Sequence, residues 1–317
     1  MDNTILCLMG PTATGKTELA LLLSEKFPVE IVSVDSAMVY CDLNIGTAKP
    51  SLDILRRIPH HLINIRKIDE HYSVSQFCKD ALHASEAIIN RKKIPLFVGG
   101  TFLYFKAFQQ GLSLLPPANI AIRKQLLDEA QTLGWQALHQ RLETLDPKAA
   151  ERIHPNDPQR IQRALEVYYT SGKPMTEHWQ AGVVAKPPYC FINLALFPED
   201  RALLHEKIAL RLEHMWDQGF VNEVGALQAK GYSLTNTPAL RTIGYRQILK
   251  ALEEKWPDPK MKEQVLIATR QLAKRQMTWL RHWENAIYFD PYTKTILQDI
   301  QRFLKKSALQ KTLRFTA

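Results

Sequence analysis

Four cysteines in 317 residues, Cys7, Cys41, Cys78 and Cys190, fall in no C-x-x-C pair and have no histidine at zinc-site spacing. That spacing argues against a structural metal and against a disulfide framework, and it suits a reducing compartment. No stretch approaches the roughly 18 to 20 consecutive apolar residues of a membrane-spanning helix. The N-terminus has neither the basic n-region nor the cleavage site of a secretory leader, so the cytoplasm is the expected location. Internal repeats and low-complexity tracts are missing too. Acid is the scarcer charge: 32 Asp plus Glu against 41 Lys plus Arg leave +9, an electrostatic invitation to a polyanion. With 45% hydrophobic and 23% charged residues, the chain has the composition of a soluble globular protein long enough for one large domain or two ordinary ones.

What is present begins at residue 10. Gly10-Pro11-Thr12-Ala13-Thr14-Gly15-Lys16-Thr17 is a complete G-x-x-x-x-G-K-[ST] loop between the apolar run Ile5 to Met9 and a helical stretch from Glu18 to Lys26. The glycines let backbone N–H groups close around a diphosphate, Lys16 adds a positive charge, and Thr17 is placed to hold Mg²⁺ at the positive end of the helix. The loop implies a bound polyphosphate.

Apolar runs at Ile5 to Met9, Ile31 to Val34, Leu62 to Ile65, Pro95 to Val98, Phe191 to Phe197 and Ile287 to Phe289 read as strands, with amphipathic helices between most of them. That alternation predicts an α/β fold, a phosphate-loop parallel sheet flanked by helices. Between Leu115-Pro116-Pro117 and Lys186-Pro187-Pro188 only helical patterns occur. The expected division is therefore a core in two segments, 1–116 and 188–317, around an all-helical insertion, 117–187. Helices are expected at 200–218, 222–230, 240–254 and 261–285.

Asp35 ends the second strand, where ligands sit in open parallel sheets, and could take a proton from a substrate; its alternative role is an Asx turn or a cap. The fourth strand runs into Gly99-Gly100-Thr101, without the metal-binding Asp usual in a hydrolytic phosphate-loop ATPase. The bound phosphate can thus be a leaving group's anchor, while Thr101 either meets the substrate or caps the helix from Phe102. Two basic helix faces complete the pattern. Arg160 and Arg163 share a face of a helix started by Asp157-Pro158 and stopped by Gly172. Arg270, Lys274 and Arg281 form one stripe near the C-terminus beside an apolar stripe of Leu266, Ala273, Met277 and Leu280.

The succession Gly10 to Thr17, Asp35-Ser36-Ala37, Ile45-Gly46-Thr47-Ala48-Lys49-Pro50, Val98-Gly99-Gly100-Thr101, His154 to Arg160, Gly244-Tyr245-Arg246 and Ala268 to Gln276 resembles the tRNA dimethylallyltransferases (tRNA isopentenyltransferases) over nearly the whole chain. Without the C-terminal zinc finger spacing of eukaryotic relatives, the sequence looks like the bacterial type. The resemblance implies transfer of a dimethylallyl group from dimethylallyl diphosphate to the exocyclic amine of the adenosine immediately 3′ of the anticodon, releasing diphosphate. It implies Asp35, Thr101, Arg211 and Lys16 as catalytic, Mg²⁺ at Thr17, and a monomer acting on the tRNA anticodon stem-loop. It assigns tRNA contacts to Asp35, Ser36, Ala37 and Met38, to Thr101 and Arg123, to Gln159, Arg160, Ile161, Gln162 and Arg163, to Arg241, Thr242, Ile243, Gly244, Tyr245 and Arg246, and to Lys274, Arg275, Gln276, Met277, Thr278, Trp279, Leu280 and Arg281. A small-molecule or nucleoside kinase and a non-catalytic RNA-binding protein would use the same loop, and remain the alternatives.

Overall fold

Every position of Thr4–Met9 is buried, as a strand covered by helices on both faces requires. This is β1 of a computed structural model that describes residues 3–182 and 186–306. With β2 (Val29–Val34), β3 (His60–His61), β4 (Ile94–Gly99), β5 (Cys190–Leu196) and β6 (Ala286–Phe289) it forms a sheet in the order β3-β2-β4-β1-β5-β6. All its pairings are parallel. Helices α1 (Lys16–Lys26), α2 (Leu52–Arg57), α3 (Val74–Asn90) and α4 (Phe102–Gln110) follow the early strands. The chain divides into two compact units, Met1–Ala107 with Pro188–Ala317, and Phe108–Pro187. The second unit starts upstream of the Leu115-Pro116-Pro117 break.

That second unit holds α5 (Ile120–Leu145), α6 (Pro147–Arg152), α7 (Pro158–Ser171) and α8 (Met175–Gln180), with no strand among its described residues. The signals at the ends of α7 act as the sequence predicts: the Asp157 carboxylate accepts the Arg160 N–H, Pro158 opens the helix and left-handed Gly172 closes it. Leu126, Leu138, Leu142, Ile161 and Leu165 lie in a core of this unit's own. The chain then returns to the sheet and continues as α9 (Arg201–Asp217), α10 (Phe220–Ala229), α11 (Tyr245–Glu253), α12 (Asp258–Arg281) and α13 (Ile296–Lys306).

Two expectations fail locally. The run Leu62 to Ile65 is not a strand: pairing is confined to His60–His61, and Leu62 and Asn64 turn into the left-handed region at φ 64° and 56°. Leu62 is buried all the same, so its apolar character records packing, not extension. The helix expected from Leu240 to Glu254 is interrupted. A short 3₁₀ turn, Pro238–Arg241, leads to Gly244 at φ 91°, and α11 starts one residue later. A side chain at Gly244 would also lie 2.9 Å from the Phe220 ring, so glycine is needed there for both space and conformation.

Leu6, Leu8, Leu96, Leu194 and Leu196 of the sheet pack with Leu19 and Leu23 of α1 and with Ile300 and Leu304 of α13. At about 1.5–3 kcal/mol for each such side chain, this layer outweighs any single polar contact of the site. The phosphate loop between β1 and α1 is therefore anchored at both ends.

Candidate active site

The loop is set by its own side chains before any ligand binds. Thr14 Oγ1 donates to the Pro11 carbonyl at 2.8 Å and Lys16 Nζ donates to the same oxygen at 2.5 Å. Two residues from outside hold it as well: Gln276 Oε1 accepts the Thr12 N–H at 2.9 Å, and the Tyr292 hydroxyl donates to the Ala13 carbonyl at 3.2 Å. Gly15 precedes α1 without a side-chain cap, leaving the first helical N–H groups directed at the loop's hollow. Thr17, the residue expected to bind metal, is exposed.

The loop opens on a cavity of about 680 Å³ lined also by Asp35, Ser36, Ala37, Met38, Thr101 and Arg211, and by Arg241 to Gly244. Lys16 is half-buried. Burial first, and the Arg211 charge second, lower its pKa to about 7, while Asp35 pulls it back up. Burial likewise disfavours the charge of Arg211, and Asp35 opposes it; a guanidinium keeps its proton regardless. Two basic groups and one carboxylate thus act on each other across one cavity.

Asp35 makes the expected turn with only one of its two carboxylate oxygens. Its Oδ1 accepts the N–H groups of Ala37 at 2.8 Å and Met38 at 3.2 Å, the expected Asx turn, whereas Oδ2 has no hydrogen bond among the described residues. One oxygen fixes the turn and the other is available to a proton. Thr101 does not cap α4 through its side chain. Its hydroxyl accepts the Ser36 N–H at 3.2 Å, and its own N–H donates to the Val34 carbonyl at 3.2 Å. The two strand ends are thereby tied together. A Cβ at Gly99 would lie 2.0 Å from the Val34 carbonyl oxygen, which explains glycine where many phosphate-loop enzymes have an acid.

The residues marked as tRNA contacts divide by exposure. Arg241, Arg246, Lys274, Arg275, Thr278, Trp279 and Arg281 are exposed in the sheet unit, and Gln159 and Arg160 in the helical one. Tyr245, Met277, Leu280 and Ile161 are buried, so their side chains do not reach the outer surface; Gln276 is buried as well but lines the cavity. Tyr245 donates its hydroxyl to Glu223, whose carboxylate also accepts the N–H groups of Asn44, Ile45 and Gly46. The sequence marked Glu223 only as an acid in the first turn of α10.

Arg123 and Arg163 are committed inside the helical unit. Both donate to Glu166, which is completely buried and also accepts the Asn119 N–H. Arg163 donates in addition to the Pro116 carbonyl, and Gln162 to the Arg123 carbonyl. Burial by itself would raise the Glu166 pKa, but the hydrogen bonds from Arg123 and Arg163 outweigh it and hold the carboxyl below its ordinary value. Of the Arg160 and Arg163 pair, only Arg160 is therefore exposed, and it lies 3.3 Å from the Asp157 carboxylate. Arg270 departs similarly from the stripe expected on α12: it is half-buried, with Nε inside and unpartnered among the described residues.

A parallel sheet with a phosphate loop after its central strand, and an arginine and a carboxylate on the same cavity as that loop's lysine, defines a phosphate-loop protein. The chain belongs to the IPP transferase family, whose model matches residues 38–283. It is 54% identical over 290 residues to a tRNA dimethylallyltransferase of Legionella pneumophila (strain Lens), covering 92% of each chain. To the tRNA dimethylallyltransferase of Coxiella burnetii (strain RSA 493 / Nine Mile phase I) it is 48% identical over 301 residues, 95% of this chain and 97% of that one. Among solved structures, the full-length tRNA isopentenylpyrophosphate transferase of Bacillus halodurans superposes with a TM-score of 0.71 at 30% identity, covering 98% of both chains. A eukaryotic dimethylallyltransferase acting on tRNA gives 0.78 at 26% identity, over 99% of this chain and 81% of that one.

Proposed function

We propose that this chain transfers a dimethylallyl group from dimethylallyl diphosphate to the exocyclic amine of the adenosine immediately 3′ of the anticodon in tRNA, acting as a cytoplasmic monomer. The observation that carries the reading is the convergence of Lys16, Arg211 and Asp35 on one cavity. As the allylic carbon–oxygen bond breaks, positive charge grows on carbon and negative charge on the departing oxygens. Lys16, Arg211 and the N–H groups at the start of α1 stabilise the latter. The amine's lone pair is delocalised into the adenine ring, so Asp35 Oδ2 accepts a proton as the carbon–nitrogen bond forms. Thr101 holds the base near that oxygen.

A magnesium ion fits the donor set. Thr17 presents an exposed hydroxyl free of hydrogen bonds among the described residues, and no cluster of three or more His, Cys, Asp or Glu there competes for a metal. Mg²⁺ typically takes few protein ligands and completes its shell with phosphate oxygens and water. When bound it would neutralise diphosphate charge. Exposed Gln159 and Arg160, together with Lys274, Arg275 and Arg281, supply phosphate contacts to RNA, which is also recognised through splayed bases.

Incubation with labelled dimethylallyl diphosphate, or with γ-labelled ATP, plus unmodified tRNA tests the reading. Prenyl label on the RNA is expected. Phosphate label on a small acceptor would make the protein a kinase, and RNA binding without transfer would leave a non-catalytic RNA-binding protein.

A further inference from the structure

Gln276 has an unusual position for a residue in a run of exposed cations. It lies between Arg275 and Met277 on α12, is 8% exposed, and turns its amide into the cavity. Both ends of that amide are used: Oε1 accepts the Thr12 N–H of the phosphate loop at 2.9 Å, and Nε2 donates to the Gly100 carbonyl at 3.0 Å. The approach is close enough that a Cβ at Gly100 would lie 2.4 Å from Nε2, so the second glycine of the 99–101 turn makes room for this side chain. From Gly100 the connection runs through Thr101, whose hydroxyl accepts the Ser36 N–H, to the Asp35 turn. A glutamine amide does this with no net charge and at any pH, because it offers an acceptor and a donor at once.

We propose that Gln276 is a positioning residue for the transfer step, a cross-brace that fixes the spacing between the diphosphate loop and the Asp35 and Thr101 turn. This rests on the prenyl-transfer reading above. The leaving group is held at one end of the brace and the attacking amine's proton acceptor at the other. In-line displacement requires both at a set separation, and a misplacement of about 1 Å can cost on the order of 10²-fold in rate. The Thr12 N–H is occupied by Gln276, so the diphosphate is bound by the amides from Ala13 onward.

Two variants and two readouts test this. Gln276→Met keeps length and volume but removes both hydrogen bonds. Expected are a fall of roughly 10- to 100-fold in turnover with both substrates saturating, unchanged tRNA affinity, and inorganic pyrophosphate binding weakened about tenfold, a single partial loss of loop geometry. Gln276→Glu keeps the acceptor for Thr12 but, when ionised, sets a carboxylate against the Gly100 carbonyl. Protonation supplies the missing donor, so its turnover relative to wild type should recover as the pH is lowered, whereas that of Gln276→Met should not. A role in overall stability alone predicts instead that the loss follows the melting temperature and that the folded Gln276→Met protein binds pyrophosphate as wild type does. Turnover and pyrophosphate affinity within threefold of wild type in Gln276→Met would overturn the proposal, as would a loss confined to the KM for tRNA, which would make Gln276 an RNA contact. If wild type transfers no prenyl group, the functional reading fails, and pyrophosphate affinity alone still decides whether Gln276 shapes the loop.

Discussion

At the scale of single residues, Asp35 decides between chemistry and scaffolding because its two oxygens do different things. In Asp35→Asn the retained Oδ1 still accepts from Ala37 and Met38, so the turn survives and only the proton acceptor is lost. Single-turnover transfer with both substrates saturating should fall by roughly 10² to 10⁴; a change of threefold or less would mean that the proton leaves by another route. Lys16 makes a second expectation. With its pKa at about 7 in the free protein, most of the side chain is neutral at pH 8, and a bound diphosphate restores the charge. Pyrophosphate binding at pH 8 should take up a proton, read by calorimetry in two buffers of different ionisation enthalpy. The uptake should shrink as the pH falls below 7, where Lys16 is already charged, and should be missing in Lys16→Ala. The identity of the loop was legible from its letters. That the Asp35 turn uses only one carboxylate oxygen was not, because an Asx turn and a general base make the same demand on sequence.

At the scale of elements, α7 and α12 were legible as helices and only partly as surfaces. Spacing tells which residues share a face, but not which distant acid meets that face. Glu166 could be paired with Arg163 from their separation of three, yet Arg123 comes from α5 and could not. The consequence is a pair of substitutions with opposite outcomes. Arg160 is exposed, with a loose 3.3 Å contact to Asp157, and Arg160→Glu should weaken tRNA binding while leaving the melting temperature within a degree or two. Arg163→Glu would set an acid beside buried Glu166 and should cost about 3–5 kcal/mol, seen as early melting of the helical unit. Equal melting temperatures for the two variants would contradict this account of the network. On α12 the apolar stripe was placed correctly at Ala273, Met277 and Leu280, which are buried, while Leu266 is only partly buried. Arg270 and Gln276 were not, because the periodicity of a long helix does not say how deep its polar edge sits.

At the scale of the whole molecule, alternating strands and helices made the parallel sheet legible, while the short β3 and the break at Gly244 were hidden by apolar residues that pack without extending. The closeness of β2 and β4 was legible only as a glycine. Gly99→Ala would drive a methyl group to 2.0 Å from the Val34 carbonyl, so the strands must part. Destabilisation of at least about 1–3 kcal/mol is expected, measurable by denaturant unfolding, and wild-type stability would show that the two strand ends are looser than described. The order of strands also has a consequence for synthesis. β1 carries the phosphate loop, yet its partner β5 starts only at Cys190, after the entire helical unit has been translated. A ribosome that has released the first 180 or so residues has delivered a helical unit with a complete core of its own and a sheet with one long edge of β1 open. Open edges recruit other strands. The nascent chain therefore carries its phosphate loop before β5, which pairs with β1, and before Gln276 and Tyr292, which hold the loop by hydrogen bonds, have been made.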